Sequence, residues 1–328
     1  MKRIVLLVVL VAAGAGAGIA LARGKAAPLG TGVVVIDTNL AYGGGEAAGT
    51  GMVLTSSGEV LTNNHVISGA TALKIVVPGT GRSYAARVVG YSVTSDVAVL
   101  QLKGASNLKT VTTATAEKLA VGQAVTAVGN AGGTGSLSTA KGSITALRRT
   151  ITASDGSRAE RLAGLLETNA SLQPGDSGGP LVDGAGRVIG MDTAAAAGFG
   201  FESTSASDGY AIPIGKALAV AKQITVGRSS ATVHVGATAF LGVQVASAAY
   251  DGSGAVIAAV VPGGPADTAG LGAGDVITAV GRKAVTSPDA LSTLLLTKKP
   301  GTQLAITFVG QTGAAGTAQV TLGSGPPQ

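Results

Sequence analysis

The sequence predicts a mainly β protein with more than one domain. Its 328 residues exceed the usual length of a single domain, so we expect two units with separate hydrophobic cores. From residue 32 onward, short runs of Val, Ile, Leu and Ala alternate with Gly, Ser and Asn turns, as in β-barrels and sandwiches. The 52 glycines and 11 prolines fit a globular chain with many turns rather than a low-complexity one.

The N-terminal segment predicts export. Met1-Lys2-Arg3 precedes an uncharged run at residues 4–22 that ends in Ala20-Leu21-Ala22, which fits a signal peptide cleaved before Arg23. The alternative is an uncleaved anchor, because this run spans roughly 28 Å as a helix, and it would then attach the chain to a membrane. Its glycine-rich second half favours cleavage. Either way, the remainder is expected outside the cytoplasm, in the extracellular space or cell envelope.

Composition excludes several classes of protein. The chain has no cysteine and two histidines, so disulfides and cysteine zinc sites are excluded, and we expect no metal or cofactor. The net charge is +6, but charged residues make up only 12% and aromatic residues 3%, without a long basic run. That pattern lacks the dense basic surface of a nucleic-acid-binding protein.

The predicted strands form two sets before a short helix at residues 214–224. The first set lies at residues 33–36, 51–54, 60–62, 74–77, 86–89, 97–102 and 124–128, and the second at 141–147, 165–168, 181–182, 187–193 and 210–212. Residues 225–238 are rich in Ser, Thr and Gly and are interpreted as a linker. His234 lies there and is expected to be a solvated or packing histidine.

The hexapeptide Gly175-Asp176-Ser177-Gly178-Gly179-Pro180 is the first candidate for chemistry. Glycines allow backbone angles that are closed to other residues and let a substrate approach a serine closely. The amides of Gly175 and Ser177 would then form an oxyanion hole. On this hexapeptide alone, a flexible surface loop remains the alternative.

The candidate partners of Ser177 are His65 and Asp96. His65 follows an apolar alternating segment, and Asp96 precedes a β-like run. A serine hydroxyl needs a base, most often an imidazole oriented by a carboxylate. The chain order His, Asp, Ser is that of the chymotrypsin-type triad. We therefore predict His65 as base, Asp96 as its orienting group and Ser177 as nucleophile.

Four further segments resemble HtrA-type serine proteases, which are secreted trypsin-like enzymes with a C-terminal PDZ domain. They are Thr62-Asn63-Asn64-His65-Val66, Ser95-Asp96-Val97-Ala98, Val128-Gly129-Asn130 and Gly209-Tyr210-Ala211-Ile212-Pro213. The match covers most of residues 33–322. The resemblance implies a double β-barrel, chymotrypsin-like protease domain at residues 30–224, with the triad at its seam. A linker at 225–238 and a small α+β PDZ domain at 239–322 would follow.

The C-terminal segments fit the PDZ domain that this resemblance implies. Phe240-Leu241-Gly242-Val243 is similar to the loop whose amides receive a peptide's terminal carboxylate while the peptide adds a strand. Ser287-Pro288-Asp289 predicts a helix start, with Leu291, Leu294 and Leu295 as its apolar stripe. The tail at residues 323–328 is expected to be disordered.

Specificity is predicted at the place that resembles the substrate pocket. Ser171 stands at its floor and Thr193, Ala194 and Ala195 form its wall, so a small uncharged pocket is expected, with a preference for small or apolar residues. Residues 194–209 are interpreted as a mobile loop at this pocket. Asp176 departs from the family, which usually has Asn there. In digestive zymogens this aspartate pairs with a new N-terminus, but no activation site is evident, so another partner is expected.

The resulting hypothesis is an exported endopeptidase acting on unfolded or damaged proteins, with a PDZ domain that recognises peptide C-termini or regulates the site. Two alternatives stay open: a peptide-binding or chaperone-like protein without proteolysis, and a serine hydrolase of other substrates. Assembly into a homo-oligomer is a further alternative that the sequence leaves undecided. HtrA-type trimers are held by N-terminal aromatic residues, and residues 23–36 contain none.

Overall fold

The computed structural model describes residues 28–40, 44–114, 118–154, 159–195, 209–246 and 254–328. The predicted export segment and most of the predicted mobile loop lie outside these residues. Within the described ranges, no helix has the length and hydropathy needed to cross a membrane.

Six antiparallel strands form the first barrel. Their order around it is β5-β4-β1-β2-β3-β6, and pairing of β5 with β6 closes the ring. The strands are β1 (Val33–Asn39), β2 (Glu46–Val53), β3 (Glu59–Thr62), β4 (Ala72–Val77), β5 (Arg82–Ser92) and β6 (Val97–Leu102), with a short helix α1 (Asn64–Ile67) after β3. Their inward-facing Val, Ile and Leu side chains are buried, as period-two alternation requires.

A second six-stranded barrel follows, closed in the order β10-β11-β12-β9-β8-β7. Its strands are β7 (Ala124–Gly129), β8 (Ser138–Ser154), β9 (Ala159–Thr168), β10 (Pro180–Val182), β11 (Val188–Ala195) and β12 (Gly209–Pro213). The prediction of a mainly β, double-barrel fold is therefore confirmed.

An apolar core joins the two barrels. Met52 and Leu61 from the first barrel pack in one cluster with Leu165 and Met191 from the second. Helix α2 (Ile214–Thr225) covers this seam with the buried residues Ile214, Ala217, Ala221 and Ile224, which recur at the spacing of one helix face. The barrels are thus held at a fixed relative position, which a site at their seam requires.

The predicted linker contains a strand. His234 and Val235 form β13 (His234–Val235), which pairs with β5 opposite Tyr91 and Gly90. The His234 ring lies 5.0 Å from the Tyr91 ring between centroids, and its Nδ1 is 3.2 Å from the Leu296 carbonyl oxygen. His234 therefore packs between the first barrel and the C-terminal unit.

The C-terminal unit is a five-stranded sheet in the order β15-β16-β17-β19-β20, with a further short strand on β17 and two helices. Its elements are β14 (Thr238–Phe240), β15 (Val243–Val245), β16 (Ala255–Val260), α3 (Pro265–Thr268), β17 (Val276–Val280), β18 (Lys283–Ala284), α4 (Pro288–Leu296), β19 (Gln303–Val309), β20 (Ala315–Thr321) and β21 (Gly323–Gly325). The predicted start of α4 is confirmed, because the Ser287 side chain accepts a hydrogen bond from the Ala290 amide at 3.1 Å. Leu291 and Leu295 are buried and Leu294 is partly buried, as predicted.

The expectation of a disordered tail is wrong. Residues 323–325 form β21, which pairs with β14. The Pro327 carbonyl then accepts a hydrogen bond from the Gly69 amide at 2.8 Å, and the Gln328 carbonyl accepts one from Asn64 Nδ2 at 3.0 Å. The Gly/Ser/Pro composition suggested flexibility, but tertiary partners satisfy this backbone.

Leu100→Ala should lower the free energy of unfolding by about 2–5 kcal/mol, since Leu100 is fully buried in the first barrel and its loss leaves a cavity. Leu29→Ala is the matched control: Leu29 is 51% exposed, and its change should stay within about 0.5 kcal/mol. Urea denaturation followed by far-UV circular dichroism measures both. Equal losses in the two variants would contradict the barrel core described above.

Candidate functional site

Two neighbouring strands bring His65 and Asp96 to the same end of the first barrel. His65 lies in α1, directly after β3, and Asp96 directly precedes β6. Because β3 and β6 are antiparallel, with Thr62 opposite Ala98, the end of one strand meets the start of the other. The sheet register therefore places the two side chains together although 31 positions separate them.

The His65 imidazole and the Asp96 carboxylate are joined by hydrogen bonds. Nδ1 of His65 lies 2.9 Å from Oδ2 and 3.1 Å from Oδ1 of Asp96. The His65 backbone amide also donates to Oδ1, at 3.0 Å. A carboxylate accepts only, so this contact places the imidazole hydrogen on Nδ1 and leaves Nε2 as the basic nitrogen.

Two residues that sequence reasoning did not assign to Asp96 hold it in place. Asn63 Nδ2 donates to its carbonyl oxygen at 2.9 Å, and the Thr193 hydroxyl donates to Oδ2. Asp96 has a φ of +51°, in the left-handed region that Asp tolerates better than most residues. Its carboxylate is almost fully buried. These contacts fix its orientation toward His65.

Thr50 in β2 of the first barrel fixes the Ser177 loop of the second. Its hydroxyl donates to the Gly175 carbonyl at 2.7 Å and accepts from the Asn130 amide at 2.9 Å. Its backbone amide donates to the Ser177 carbonyl at 2.9 Å, and its carbonyl accepts from the Thr62 hydroxyl at 2.7 Å. Sequence reasoning missed Thr50, because a lone Thr within a strand carries no local signal.

The glycines of the loop are required by close packing. Gly178 has a φ of +86°, and a Cβ atom there would lie 2.1 Å from the Thr50 carbonyl oxygen and 2.3 Å from Thr62 Oγ1. Gly175 has a φ of +98°, and a Cβ atom would lie 2.2 Å from the Asn130 carbonyl oxygen. A side chain at Gly178 would push the loop away from the first barrel, and one at Gly175 would push it away from Asn130 of the second.

The loop leaves its reactive groups unused. Within the described part of the chain, neither the Ser177 hydroxyl nor the Gly175 and Ser177 amides have a hydrogen-bond partner. Ser177 itself is partly exposed, although both of its sequence neighbours are buried. The structure thus bonds His65 to Asp96 and places Ser177 on an adjoining loop, without a direct hydrogen bond from its hydroxyl.

The predicted pocket residues separate into two groups. Ser171 is exposed, whereas Thr193 is buried and its hydroxyl is used by Asp96. Ala194 and Ala195 continue β11 and pair with Tyr210 and Gly209 of β12, so their backbones border the site; their side chains lie outside the described atoms.

The loop of residues 240–243 in the C-terminal unit also has unused amides. Gly242 has a φ of +80°, and its carbonyl accepts from the Val261 amide at 2.9 Å. The Leu241 and Gly242 amides donate to no acceptor among the described residues. Beyond this loop, β15 is the terminal strand of its sheet, paired only with β16 in the described structure. The terminal strand of this sheet therefore begins at a loop in which these two amide donors are unused.

Two domain families match the chain. The trypsin-like peptidase domain matches residues 49–191, and the PDZ domain matches residues 239–318. Serine protease PepD of Mycobacterium tuberculosis is 35% identical over 314 residues, which covers 91% of this chain and 65% of that protein. The periplasmic pH-dependent serine endoprotease DegQ of Escherichia coli is 34% identical over 266 residues, or 79% of this chain and 56% of DegQ. The chain therefore spans less than two thirds of the length of these relatives.

Solved structures agree with the domain matches. A serine endoprotease from Yersinia pestis has a TM-score of 0.51 and 26% identity, covering 90% of this chain and 95% of that one. The HtrA-type protease AlgW with a tripeptide has a TM-score of 0.51 and 27% identity, covering 91% and 95%. The chain thus carries a double-barrel trypsin-like peptidase domain followed by a PDZ domain, and in both domains it is similar to the HtrA-type serine proteases.

Proposed function

We propose that this chain is an exported serine endopeptidase that hydrolyses peptide bonds of unfolded or damaged proteins. The observation that carries the proposal is the Asp96–His65 hydrogen-bonded pair beside a loop whose serine hydroxyl and two amides are unused. The names of the relatives PepD and DegQ, a serine protease and a serine endoprotease, support the reaction class. The periplasmic location in the name of DegQ supports export.

In the proposed reaction, His65 Nε2 takes the proton of the Ser177 hydroxyl as its oxygen attacks the substrate carbonyl carbon. The Gly175 and Ser177 amides hold the developing oxyanion, and Asp96 stabilises the imidazolium. His65 then gives the proton to the leaving amine, and the peptide bond breaks. Water, activated by the same imidazole, hydrolyses the acyl-enzyme and restores Ser177.

The site also bears on specificity and recognition. Ser171 and the backbone of residues 193–195 would border the pocket for the residue before the cleaved bond, which favours small or apolar side chains. Phe240, Leu241, Gly242 and Val243 would receive a peptide's C-terminal carboxylate, with the peptide adding to β15 as an edge strand. The PDZ domain would thereby bring unfolded chains to the protease or adjust its activity.

Ser177→Ala should lower hydrolysis of denatured casein by more than about 10⁴-fold, since the nucleophile is removed. Ser106→Ala, which removes an exposed hydroxyl, is the matched control and should be fully active. A fluorophosphonate should label the wild type at Ser177 and leave Ser177→Ala unlabelled. More than a few per cent residual activity in Ser177→Ala would reject the assignment, and peptide binding without labelling of the wild type would favour the binding protein.

Thr50→Val should slow fluorophosphonate labelling by about 10²-fold, because the Gly175 carbonyl and Asn130 amide lose their shared partner and the Ser177 loop shifts. The two unpaired buried groups should also lower the free energy of unfolding by about 1–3 kcal/mol. Thr50→Ser keeps the hydroxyl and should restore most of the labelling rate. If Val and Ser variants label equally fast, Thr50 does not position the loop.

A peptide with an apolar last residue and a free carboxylate should bind the full chain carrying Ser177→Ala. The same peptide with an amidated C-terminus should bind at least about 10-fold more weakly, because a charge-assisted hydrogen bond to the loop amides is lost. Isothermal titration calorimetry measures both dissociation constants. Equal affinities would show that the carboxylate is not recognised.

A further inference from the structure

Two buried carboxyl groups belong to the Ser177 loop and to the strand that is hydrogen-bonded to it. Asp176 precedes Ser177 and is 4% exposed, and Asp192 in β11 is 0% exposed. The backbone binds the two segments together: the Gly178 amide donates to the Asp192 carbonyl, and the Asp192 amide donates to the Gly179 carbonyl, both at 2.8 Å. Any change at Asp192 is therefore transmitted to the residues that follow the nucleophile.

These carboxyl groups lack the partners that buried carboxylates need. Oδ2 of Asp176 accepts a hydrogen bond from the Gln173 amide at 2.9 Å. Its Oδ1 and both side-chain oxygens of Asp192 have no hydrogen-bond partner in the described structure. An ionised carboxylate in such a place is strongly disfavoured, whereas an un-ionised acid can donate to a neighbouring carboxylate.

The pKa values of both acids are raised, as their burial leads one to expect. Burial raises the pKa of Asp192 well above its usual value, and the nearby Asp176 charge raises it further. Burial also raises the pKa of Asp176, partly opposed by the Gln173 amide. Two adjacent buried carboxyl groups that cannot both ionise commonly retain one proton between them.

In the described part of the chain, no cation adjoins the pair. Strands β7 and β10 carry no titratable side chain, and β12 contributes only Tyr210. Helix α2, which packs on β11, carries Lys216 and Lys222, but both are exposed, and Lys216 donates to the Ala163 carbonyl. Thr193, the residue after Asp192, donates a hydrogen bond from its hydroxyl to the Asp96 carboxylate, which is in turn bonded to His65. No lysine or arginine contributes to the pKa shift of either acid in the described residues.

We propose that Asp176 and Asp192 share one proton in an O–H···O hydrogen bond that holds the Gly175–Ser177 loop in its reactive conformation, which makes Asp192 a positioning residue. This inference rests on the proposed function of Ser177. As the pH rises, the shared proton leaves to solvent, and two like charges then face each other in a buried space. Their repulsion displaces Asp176, and with it the Ser177 hydroxyl and the two amides.

A shared proton would give Asp176, which departs from the family pattern, the partner that its place in the loop requires. In digestive zymogens the equivalent aspartate pairs with a released N-terminus, and HtrA-type chains usually have Asn at this place. Here the un-ionised carboxyl group of Asp192 would supply the donor. A cleavage that releases an N-terminus is then unnecessary for ordering the loop.

The test is the rate of fluorophosphonate labelling of Ser177 from about pH 5 to pH 10. In the wild type the rate should rise as His65 loses its proton and fall again at alkaline pH. In Asp192→Ala it should be about 10²-fold lower, because Asp176 has lost its partner. In Asp192→Asn the amide donates to the Asp176 carboxylate at every pH, so labelling should be rescued and the alkaline fall should disappear. Asp37→Asn, at a carboxylate that is 45% exposed, should retain the wild-type profile.

Two further measurements do not depend on labelling. An un-ionised carboxylic acid at neutral pH should give an infrared carbonyl band in the wild type that Asp192→Asn lacks. Asp192 has a raised pKa in the folded state. Its contribution to stability is therefore complete below the unfolded pKa of about 3.9 and is lost as the pH rises through the folded pKa. The melting temperature of the wild type should therefore fall with rising pH more steeply than that of Asp192→Asn.

The outcomes separate the two proposals. An alkaline fall that persists in Asp192→Asn, or the absence of the infrared band in the wild type, overturns the shared proton. Absence of labelling in the wild type at every pH overturns the proposed function of Ser177 instead, and the infrared band then still decides whether the proton is shared.

Discussion

The hydroxyl of Thr50 is the interaction on which the geometry of the site depends. It belongs to the first barrel, yet it bonds the Gly175 carbonyl and the Asn130 amide of the second. The amide of Thr50 also bonds the Ser177 carbonyl. Buried groups of this kind must be paired, so a shift between the barrels would break several hydrogen bonds at once. One side chain thus couples the relative placement of the barrels to the placement of the candidate nucleophile.

The two halves of the site are built by different means. His65 and Asp96 meet because their strands are paired within one sheet, so local register is sufficient. Ser177 comes from a loop of the other barrel, and its position depends on contacts across the seam. Thr193 links the halves, since it follows Asp192 behind the serine loop and bonds Asp96. A disturbance in either half therefore reaches the other through β11.

Much of the fold could be predicted from sequence, because short alternating strands, the start of α4 and the His, Asp, Ser order are local patterns. The contacts of Thr50 and the placement of Asp192 near Asp176 could not, since each involves a residue more than ten positions away that no periodicity reveals. The order of residues 323–325 was missed for the same reason. The composition Gly-Ser-Gly predicts a flexible segment, and only its pairing with β14 makes it a strand. Local signals therefore predicted the fold, whereas the contacts that support the candidate site are visible only in the tertiary structure.

The two-residue strand β13 has a practical consequence for dissecting the chain. It pairs with residues 90 and 91 of β5, beyond the residues of β5 that pair with β4, and its backbone closely approaches Gly90, where a Cβ atom would lie 2.4 Å from the His234 carbonyl oxygen. A protease fragment cut directly after α2 would leave this end of β5 unpaired on that side, and unpaired strand edges template association with other chains. Fragments of the double barrel intended for crystallisation or enzymology should thus extend past Val235 to remain monodisperse.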